Sequence, residues 1–290
     1  MVRAAHYLMQ PLLYDRFDVA VGCLLLVAVA AESQLALFCG ALLKFVPALA
    51  SPLLLLWPGS PARQRWRALW VALLLPLAVT LCGAWLWLGR SLTTPITYHA
   101  SRGIQVESTW ASVALLAHLA GNPLSVLTSH RAQHLAGGLA ERLLPWTGPI
   151  NLLASGAAIV LVVTAWRRRA CRDRGDLAAG CLIVLLAFLA TCRVLSPQFL
   201  LWLVPIAPLC LVRAEERRAR RTFLALTVAC VALSSYLFRR LLWALVALHP
   251  AVIGLYALRN ALLVLMLLVL ARCTARSAFL PPRRAARTSR

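Results

Sequence analysis

The chain has 290 residues, of which 61% are hydrophobic and only 13% are charged, and apolar runs recur from residue 19 to residue 270. This composition is typical of a polytopic helical membrane protein and excludes a second soluble domain, because no stretch between the runs is long enough for its own core. The net charge of +21 comes from short arginine clusters between the hydrophobic runs. That distribution indicates membrane topology, so we expect membrane lipids and no nucleic acid as partners.

The first three apolar runs, 19–31, 35–43 and 45–57, are too short to cross a bilayer as regular helices, since a full span needs about 20 residues. Short or broken helices are tolerated in membranes where protein or a wet cavity receives the freed backbone groups. Pro47 has no backbone N–H and disfavours helical geometry in the residue before it, so we predict that the runs around Lys44 are discontinuous, with a break from Phe45 to Pro47 that faces a cavity.

The later runs predict an all-α, GT-C-like polytopic bundle with about six full spans, in addition to the short helices near the N-terminus. These spans are predicted at 68–88, 149–166, 177–194, 199–212, 222–238 and 251–271. We interpret residues 1–271 as a single transmembrane domain and residues 272–290 as a basic cytoplasmic tail.

Arginine placement predicts the orientation. Clusters occupy every second connection, at 63–67, 167–174, 213–221 and 272–290, and are therefore expected in the cytoplasm. The loop 89–148 and the shorter connections 195–198 and 239–250 are then expected outside. The chain is predicted to be a multi-pass plasma-membrane protein whose functional polar groups face the extracytoplasmic side.

Residues 98–108 form a polar island between hydrophobic runs. Opposite charges at Arg102 and Glu107 would be expensive in hydrocarbon, so the island is expected at a water-filled surface or cavity. Arg102 can hold a phosphate through two parallel hydrogen bonds, and Lys44 can add a point charge. Glu107 can orient these cations, or accept a proton from a hydroxyl if burial raises its pKa.

Simpler interpretations of the same residues stay open. Arg102 and Glu107 can pair with each other and cap a helix that begins near Ser108. Lys44 can extend along the bilayer to reach the interface.

Metal and cofactor chemistry have little support in the sequence. His130 and His134 are four residues apart and would share a helix face, but no third ligand lies within reach. The nine cysteines contain no CxxC pair and lie mainly in apolar runs, which is typical of packing residues. The phosphate loop, the GxSxG motif and the HExxH motif are absent, so we predict neither a metal nor a cofactor.

Four segments together resemble glycosyltransferase family 87, whose members are GT-C-type integral membrane enzymes that include polyprenol-phosphate-mannose-dependent mannosyltransferases. The segments are Arg-Phe-Asp at 16–18, Leu-Lys-Phe-Val-Pro at 43–47, the polar island at 98–108, and the run from Arg193 through Ser-Pro-Gln to Pro205. Their order and spacing cover roughly residues 14–210.

The resemblance implies that a hexose such as mannose passes from a polyprenyl-phosphate donor to a hydroxyl of a lipid or glycan acceptor, at the extracytoplasmic face. The family uses an aspartate of the first external loop as the base, and the opening helices that carry it have no counterpart here. The chain is thus expected to correspond to the carboxy-terminal two thirds of such an enzyme, either active or a truncated remnant. Asp18 matches a later Arg-aromatic-Asp motif.

Site residues follow from this combination of charge pattern and resemblance. Glu107 and Asp18 are the catalytic candidates. The predicted substrate-binding residues are Arg16, Lys44, Tyr98, His99, Arg102, Gln105, Ser196 and Gln198.

Two other classes of protein fit the same broken helices and buried charges: a transporter or flippase for a lipid carrier or small molecule, and a non-catalytic membrane scaffold. An inverted repeat between the two halves would favour transport. The polar groups instead cluster in the first half and at 196–198, which favours the enzyme.

Overall fold

The computed structural model describes residues 18–58, 66, 70, 74–89, 101–129, 132–168, 173–212 and 217–277. Short helices come first: α1 (Asp18–Ala30), α2 (Gln34–Leu43), a 3₁₀ helix (Val46–Ala50), α3 (Ser51–Leu56) and α4 (Leu75–Leu88). Helix α2 stops at Leu43, and Lys44 has an extended backbone with φ −153° and ψ 135°. The runs around Lys44 are therefore discontinuous as predicted, but the break lies at Lys44 and Phe45, and Val46 and Pro47 already belong to the 3₁₀ helix.

Both long and short helices form the rest of the bundle. They are α5 (Thr109–Leu119), α6 (Gly138–Arg168), α7 (Arg174–Thr191), α8 (Arg217–Tyr236), a π-helical turn (Leu237–Leu241), α9 (Leu242–Val246) and α10 (Pro250–Ser277). Four of the described helical stretches are long and apolar enough to cross a membrane: 138–168, 174–191, 218–246 and 250–276. The all-α membrane class is supported, but the count of about six full spans is not confirmed.

The predicted span at 199–212 is not one α-helix. It folds into two 3₁₀ helices, Pro197–Trp202 and Ala207–Val212, joined by turns. Prolines at 197, 205 and 208 each remove a backbone donor, which accounts for the loss of regular α-helical bonding. A Cβ added to Gly175, at the start of α7, would lie 3.2 Å from the Leu209 carbonyl oxygen. The 197–212 segment follows the C-terminal end of α7, and its Leu209 lies beside the N-terminal end. The segment therefore runs back along the whole length of α7.

Helix α7 is the centre of the main hydrophobic core. Its residues from Gly175 to Ala187 are all buried. The core cluster around them contains residues of α1, α6, α8, α10 and the two 3₁₀ helices Pro197–Trp202 and Ala207–Val212. Asp173 and Asp176 form a capping box that satisfies backbone donors at the first turn of α7. Trp166, near the end of α6, meets Trp57 edge to face with ring centroids 4.8 Å apart.

Residues 101–137 contain a small sheet that the sequence analysis did not predict. Strands β1 (Ile104–Gln105), β2 (Ser125–Ser129) and β3 (Ala132–Ala136) pair antiparallel in the order β1-β3-β2. His134 lies on β3, so the expected shared helix face with His130 is wrong, and His130 itself lies outside the described residues. The sheet packs through Ile104, Val106 and Leu135 on a second apolar cluster with α5, α9 and α10. Extended backbone at 104–105 therefore leads directly into α5.

Glycine at 180 permits close packing of α6 on α7. A Cβ added there would lie 2.7 Å from Val162 Cγ1 and 2.8 Å from the Trp166 ring, whereas a Cβ added to Gly156 would meet nothing within 4 Å. We expect Gly180→Ala to lower the free energy of unfolding by about 1–3 kcal/mol through overpacking. Gly156→Ala should raise it by up to about 1 kcal/mol, because alanine favours the helix. Thermal unfolding in detergent compares the two, and equal melting temperatures would contradict this view of the α6–α7 contact.

Candidate functional site

Asp18, the first residue of α1, is fully buried and neutralised by Lys44. Lys44 Nζ lies 2.7 Å from Asp18 Oδ1, and the indole N–H of Trp202 donates to the same oxygen at 2.7 Å. Gly22 lies one turn further along α1 and packs so closely that an added Cβ would be 2.8 Å from the Leu201 carbonyl oxygen. This close approach of α1 to the 3₁₀ helix brings Asp18 beside Trp202. We call Asp18, Lys44, Phe199 and Trp202 the Asp18 cluster.

Aromatic rings hold the other side of the Lys44 ammonium. Nζ lies 5.1 Å from the Phe199 ring centroid and 5.4 Å from the Trp202 ring centroid, and the two rings stack at 4.5 Å. Both distances are within the range of a cation–π interaction. The Lys44 side chain keeps 29% of its surface exposed. The cation is thus fixed by three partners while one side remains open, which differs from a lysine that simply reaches towards an interface.

The polar island contacts the same segment that carries Trp202. The Gln105 backbone N–H donates to the Arg193 carbonyl oxygen at 2.9 Å. Burial, and after it the neighbouring positive charge of Arg102, lower the pKa of Arg193 below its ordinary value. Two guanidinium groups are therefore close enough to repel each other beside the start of the 193–202 segment.

Glu107 belongs to a second buried group, the Glu107 cluster, which consists of Gln105, Glu107, Tyr256, Arg259 and Asn260. Glu107 Oε1 lies 3.8 Å from Arg259 Nη2, and Gln105 Nε2 donates to Glu107 Oε2 at 3.3 Å. The guanidinium is 5.6 Å from the Tyr256 ring centroid. A separation of 3.8 Å is an ionic contact but too long for a hydrogen bond. The charge pair is therefore loose although both side chains are buried.

Asn260 fixes the backbone on which Glu107 sits. Its side-chain amide donates to the carbonyl oxygens of Glu107 and Ser108 at 3.2 and 3.1 Å, and to Ser112 Oγ at 2.7 Å. Ser108 is the N-cap of α5 and accepts from the Ala111 N–H. The start of α5 is thus fastened to α10, and the helix is capped by Ser108. The ion-pair partner of Glu107 is Arg259, which does not support the alternative interpretation of a capping pair between Glu107 and Arg102.

Burial raises the pKa of Glu107 to about 7, because desolvation of the carboxylate outweighs the attraction of Arg259. A carboxyl group with this pKa exchanges a proton readily near neutral pH. A raised pKa is the condition under which Glu107 was predicted to accept a proton, and burial of the side chain produces that shift.

The remaining predicted site residues are distributed unevenly. Ser196 and Gln198 are partly buried at the start of the first 3₁₀ helix, where Ser196 is the N-cap without a side-chain capping bond. Arg16, Tyr98 and His99 lie outside the described residues. The contacts of Lys44 are with the Asp18 cluster, so a joint phosphate clamp with Arg102 stays a prediction.

Over the described ranges, no group of three or more potential metal ligands occurs.

Sequence analysis missed the residues of α10. Arg259 and Asn260 lie within the apolar run 251–271, which we read only as a span. An ionisable side chain inside an otherwise apolar run is a functional candidate by default, because burying it is expensive. That signal was present and would have identified Arg259.

Comparison with known proteins adds nothing to this description, since no protein-family model, no curated protein and no solved structure matches the chain.

Proposed function

We propose that the chain is a membrane glycosyltransferase that moves a hexose from a polyprenyl-phosphate donor to a lipid or glycan hydroxyl at the extracytoplasmic face of the plasma membrane. One observation carries the proposal: the four segments that resemble the family meet through direct contacts. Asp18 and Lys44 pair across 26 residues, Trp202 binds Asp18, and Gln105 binds the backbone of Arg193. Convergence of distant polar segments in an apolar bundle is expected of a shared site.

Charge distribution supports a site for the donor phosphate. Arg193, at one end of the 193–202 segment, is near enough to Arg102 for that charge to lower its pKa, and Lys44 is held beside the other end of the segment. Guanidinium groups suit phosphate because their parallel N–H donors match two of its oxygens. In this proposal a phosphodiester between these cations relieves the repulsion between the two arginines.

Glu107 is the better of the two catalytic candidates. The Asp18 carboxylate already accepts from Trp202 and is paired with Lys44, so its role is to position the lysine. Glu107 has a pKa of about 7 and can accept a proton. In the proposed step the acceptor oxygen forms a bond to the sugar C1, its proton passes to Glu107, and the C1–O bond to the phosphate breaks with its electrons leaving on the polyprenyl phosphate.

Arg102→Lys tests the phosphate site. We expect it to weaken binding of a polyprenyl-phosphate-mannose donor about ten- to a hundredfold, because a point charge replaces the planar fork. Fluorescent donor binding to detergent-solubilised protein measures the change. Arg218→Lys, at the exposed start of α8, is the matched control and should have no effect. Unchanged donor affinity in a folded Arg102→Lys protein would refute the phosphate assignment.

Glu107→Gln tests the base. Transfer of labelled mannose to membrane lipids should fall sharply, while donor affinity stays within about twofold, because a proton acceptor acts on the acceptor hydroxyl. If Glu107 only orients the cations, donor affinity falls instead. Retention of full transfer would remove Glu107 from the mechanism.

Transport of a lipid carrier is the second candidate, and the buried Glu107–Arg259 pair favours it, since intramembrane charge pairs and interrupted helices are common in transporters. Liposomes that contain the protein and a fluorescent polyprenyl phosphate distinguish the two. Accelerated movement between leaflets without sugar transfer would favour transport.

A further inference from the structure

The guanidinium of Arg259 is the least satisfied charge in the described part of the chain. Its side chain is fully buried, yet Nε, Nη1 and Nη2 have no hydrogen-bond partner there. A guanidinium has five N–H donors, and each buried donor without an acceptor is costly. A pair built for stability would place both terminal nitrogens at hydrogen-bond distance from the carboxylate. The contact with Glu107 at 3.8 Å does not meet that requirement.

Neighbouring polar atoms are equally unsatisfied. Gln105 Oε1, Glu107 Oε1, the Tyr256 hydroxyl and Asn260 Oδ1 are buried without a hydrogen-bond partner among the described residues. Native structures leave few such atoms, and a group of them around one charge indicates that something else binds there. The Arg259 guanidinium and the Tyr256 hydroxyl lack acceptors, which an acceptor-rich anion supplies. The three unsatisfied oxygens of Gln105, Glu107 and Asn260 lack a donor, which a proton taken up by Glu107 supplies.

We propose that Arg259 is an oxyanion-binding residue whose site Glu107 occupies until a phosphate or sulfate group replaces it, with Glu107 taking up one proton as the anion enters. The guanidinium offers the anion two parallel N–H groups, and the Tyr256 hydroxyl offers a third donor. The protonated Glu107 no longer repels the anion. This inference does not rest on sugar transfer, because Arg259 has no role in the proposed transfer step.

Proton uptake gives the site a defined pH dependence. Above a pKa of about 7 the Glu107 carboxylate competes with the anion, so each further pH unit should weaken anion binding about tenfold. Below that pKa, affinity should reach a plateau. The other titratable side chains around Arg259 are Tyr256 on α10, Cys230 on α8 and Cys192 after α7, and His134 lies across the sheet from Gln105. A Glu107→Gln variant separates the contribution of Glu107 from all of these.

Sulfate binding, measured by titration calorimetry on the detergent-solubilised full chain between about pH 6 and about pH 8, tests the proposal. Sulfate does not titrate in this range. Wild-type affinity should fall about fivefold from pH 7 to pH 8, whereas Glu107→Gln should bind at all pH values with the affinity of the acid plateau. Arg259→Gln should not bind sulfate. If wild type binds sulfate and Glu107→Gln binds it no more tightly at pH 8, the proposal is overturned, even if the Arg259 variant does not fold.

Short-chain phosphatidylglycerol, compared with phosphatidylcholine, identifies the source of the anion. Phosphatidylglycerol binding with the same dependence on pH and Arg259, in the absence of sulfate binding, assigns the site to a lipid headgroup. Binding of sulfate alone assigns it to a free anion. Binding of neither would overturn the proposal. Arg102→Lys is the control, because it should weaken the sugar donor and leave this pH dependence unchanged.

Discussion

Lys44→Met is expected to destabilise the folded protein by about 3–5 kcal/mol, because it leaves a fully buried carboxylate without its counter-ion. Asp18→Asn should have a much smaller effect, about 1–2 kcal/mol. The asparagine can still accept from the Trp202 indole, and Lys44, with 29% of its side chain exposed, can regain water. The two substitutions should thus lower the free energy of unfolding by different amounts, because only Lys44 can be solvated after its partner is lost.

Denaturant unfolding in mild detergent measures both variants and the double variant. Asp18→Asn/Lys44→Met should be close in stability to Asp18→Asn alone, since the buried charge is then absent, and the strong departure from additivity identifies the coupling. Arg218→Met, which removes a cation from the exposed start of α8, should leave the free energy of unfolding nearly unchanged. Asp18→Asn that destabilises as much as Lys44→Met would mean that Asp18 is hydrated in solution.

Sequence patterns predicted the elements of this fold better than the contacts between them. Long apolar runs identified four of the helices, and the proline after Lys44 identified the break, because both signals act locally along the chain. The run at 199–212 has the composition of a span but forms 3₁₀ turns. Hydropathy reports composition and length, whereas the hydrogen-bonding pattern depends on prolines and on packing against α7.

The site residues were likewise predicted better than the contacts between them. The charge pattern and the family resemblance identified three of the charged residues: Lys44, Asp18 and Glu107. The partners of these residues come from distant segments of the chain. Lys44 pairs with Asp18, 26 residues earlier, a contact that the sequence did not predict. A pair between Glu107 and Arg102, five residues away, was one of the interpretations left open, whereas Glu107 meets Arg259, on a helix that begins more than 140 residues later. Sequence spacing favours local pairs, while burial selects whichever opposite charge the fold brings near.

Glu107→Gln should stabilise the protein above neutral pH and have little effect in acid. The folded-state pKa of about 7 lies above the ordinary value of 4.5, because burial penalises the charged carboxylate more than Arg259 favours it. The folded state therefore holds the proton more tightly than the unfolded state. The stability associated with protonated Glu107 is fully present below about pH 4.5 and is lost as the pH rises to about 7.

Glutamine mimics the protonated carboxyl at every pH, so the advantage of Glu107→Gln should grow from near zero at about pH 4.5 to about 3 kcal/mol at pH 8. Thermal unfolding in detergent at about pH 5 and about pH 8 measures the difference. Glu141→Gln, at the exposed start of α6, makes the same chemical change without the burial and should show no such trend. A wild-type protein more stable than Glu107→Gln at pH 8 would mean that Arg259 compensates the carboxylate fully. The charge of Arg259 would then be fully compensated by Glu107, so Arg259 would not bind an added anion. That result would contradict both the predicted stabilisation and the proposed oxyanion site.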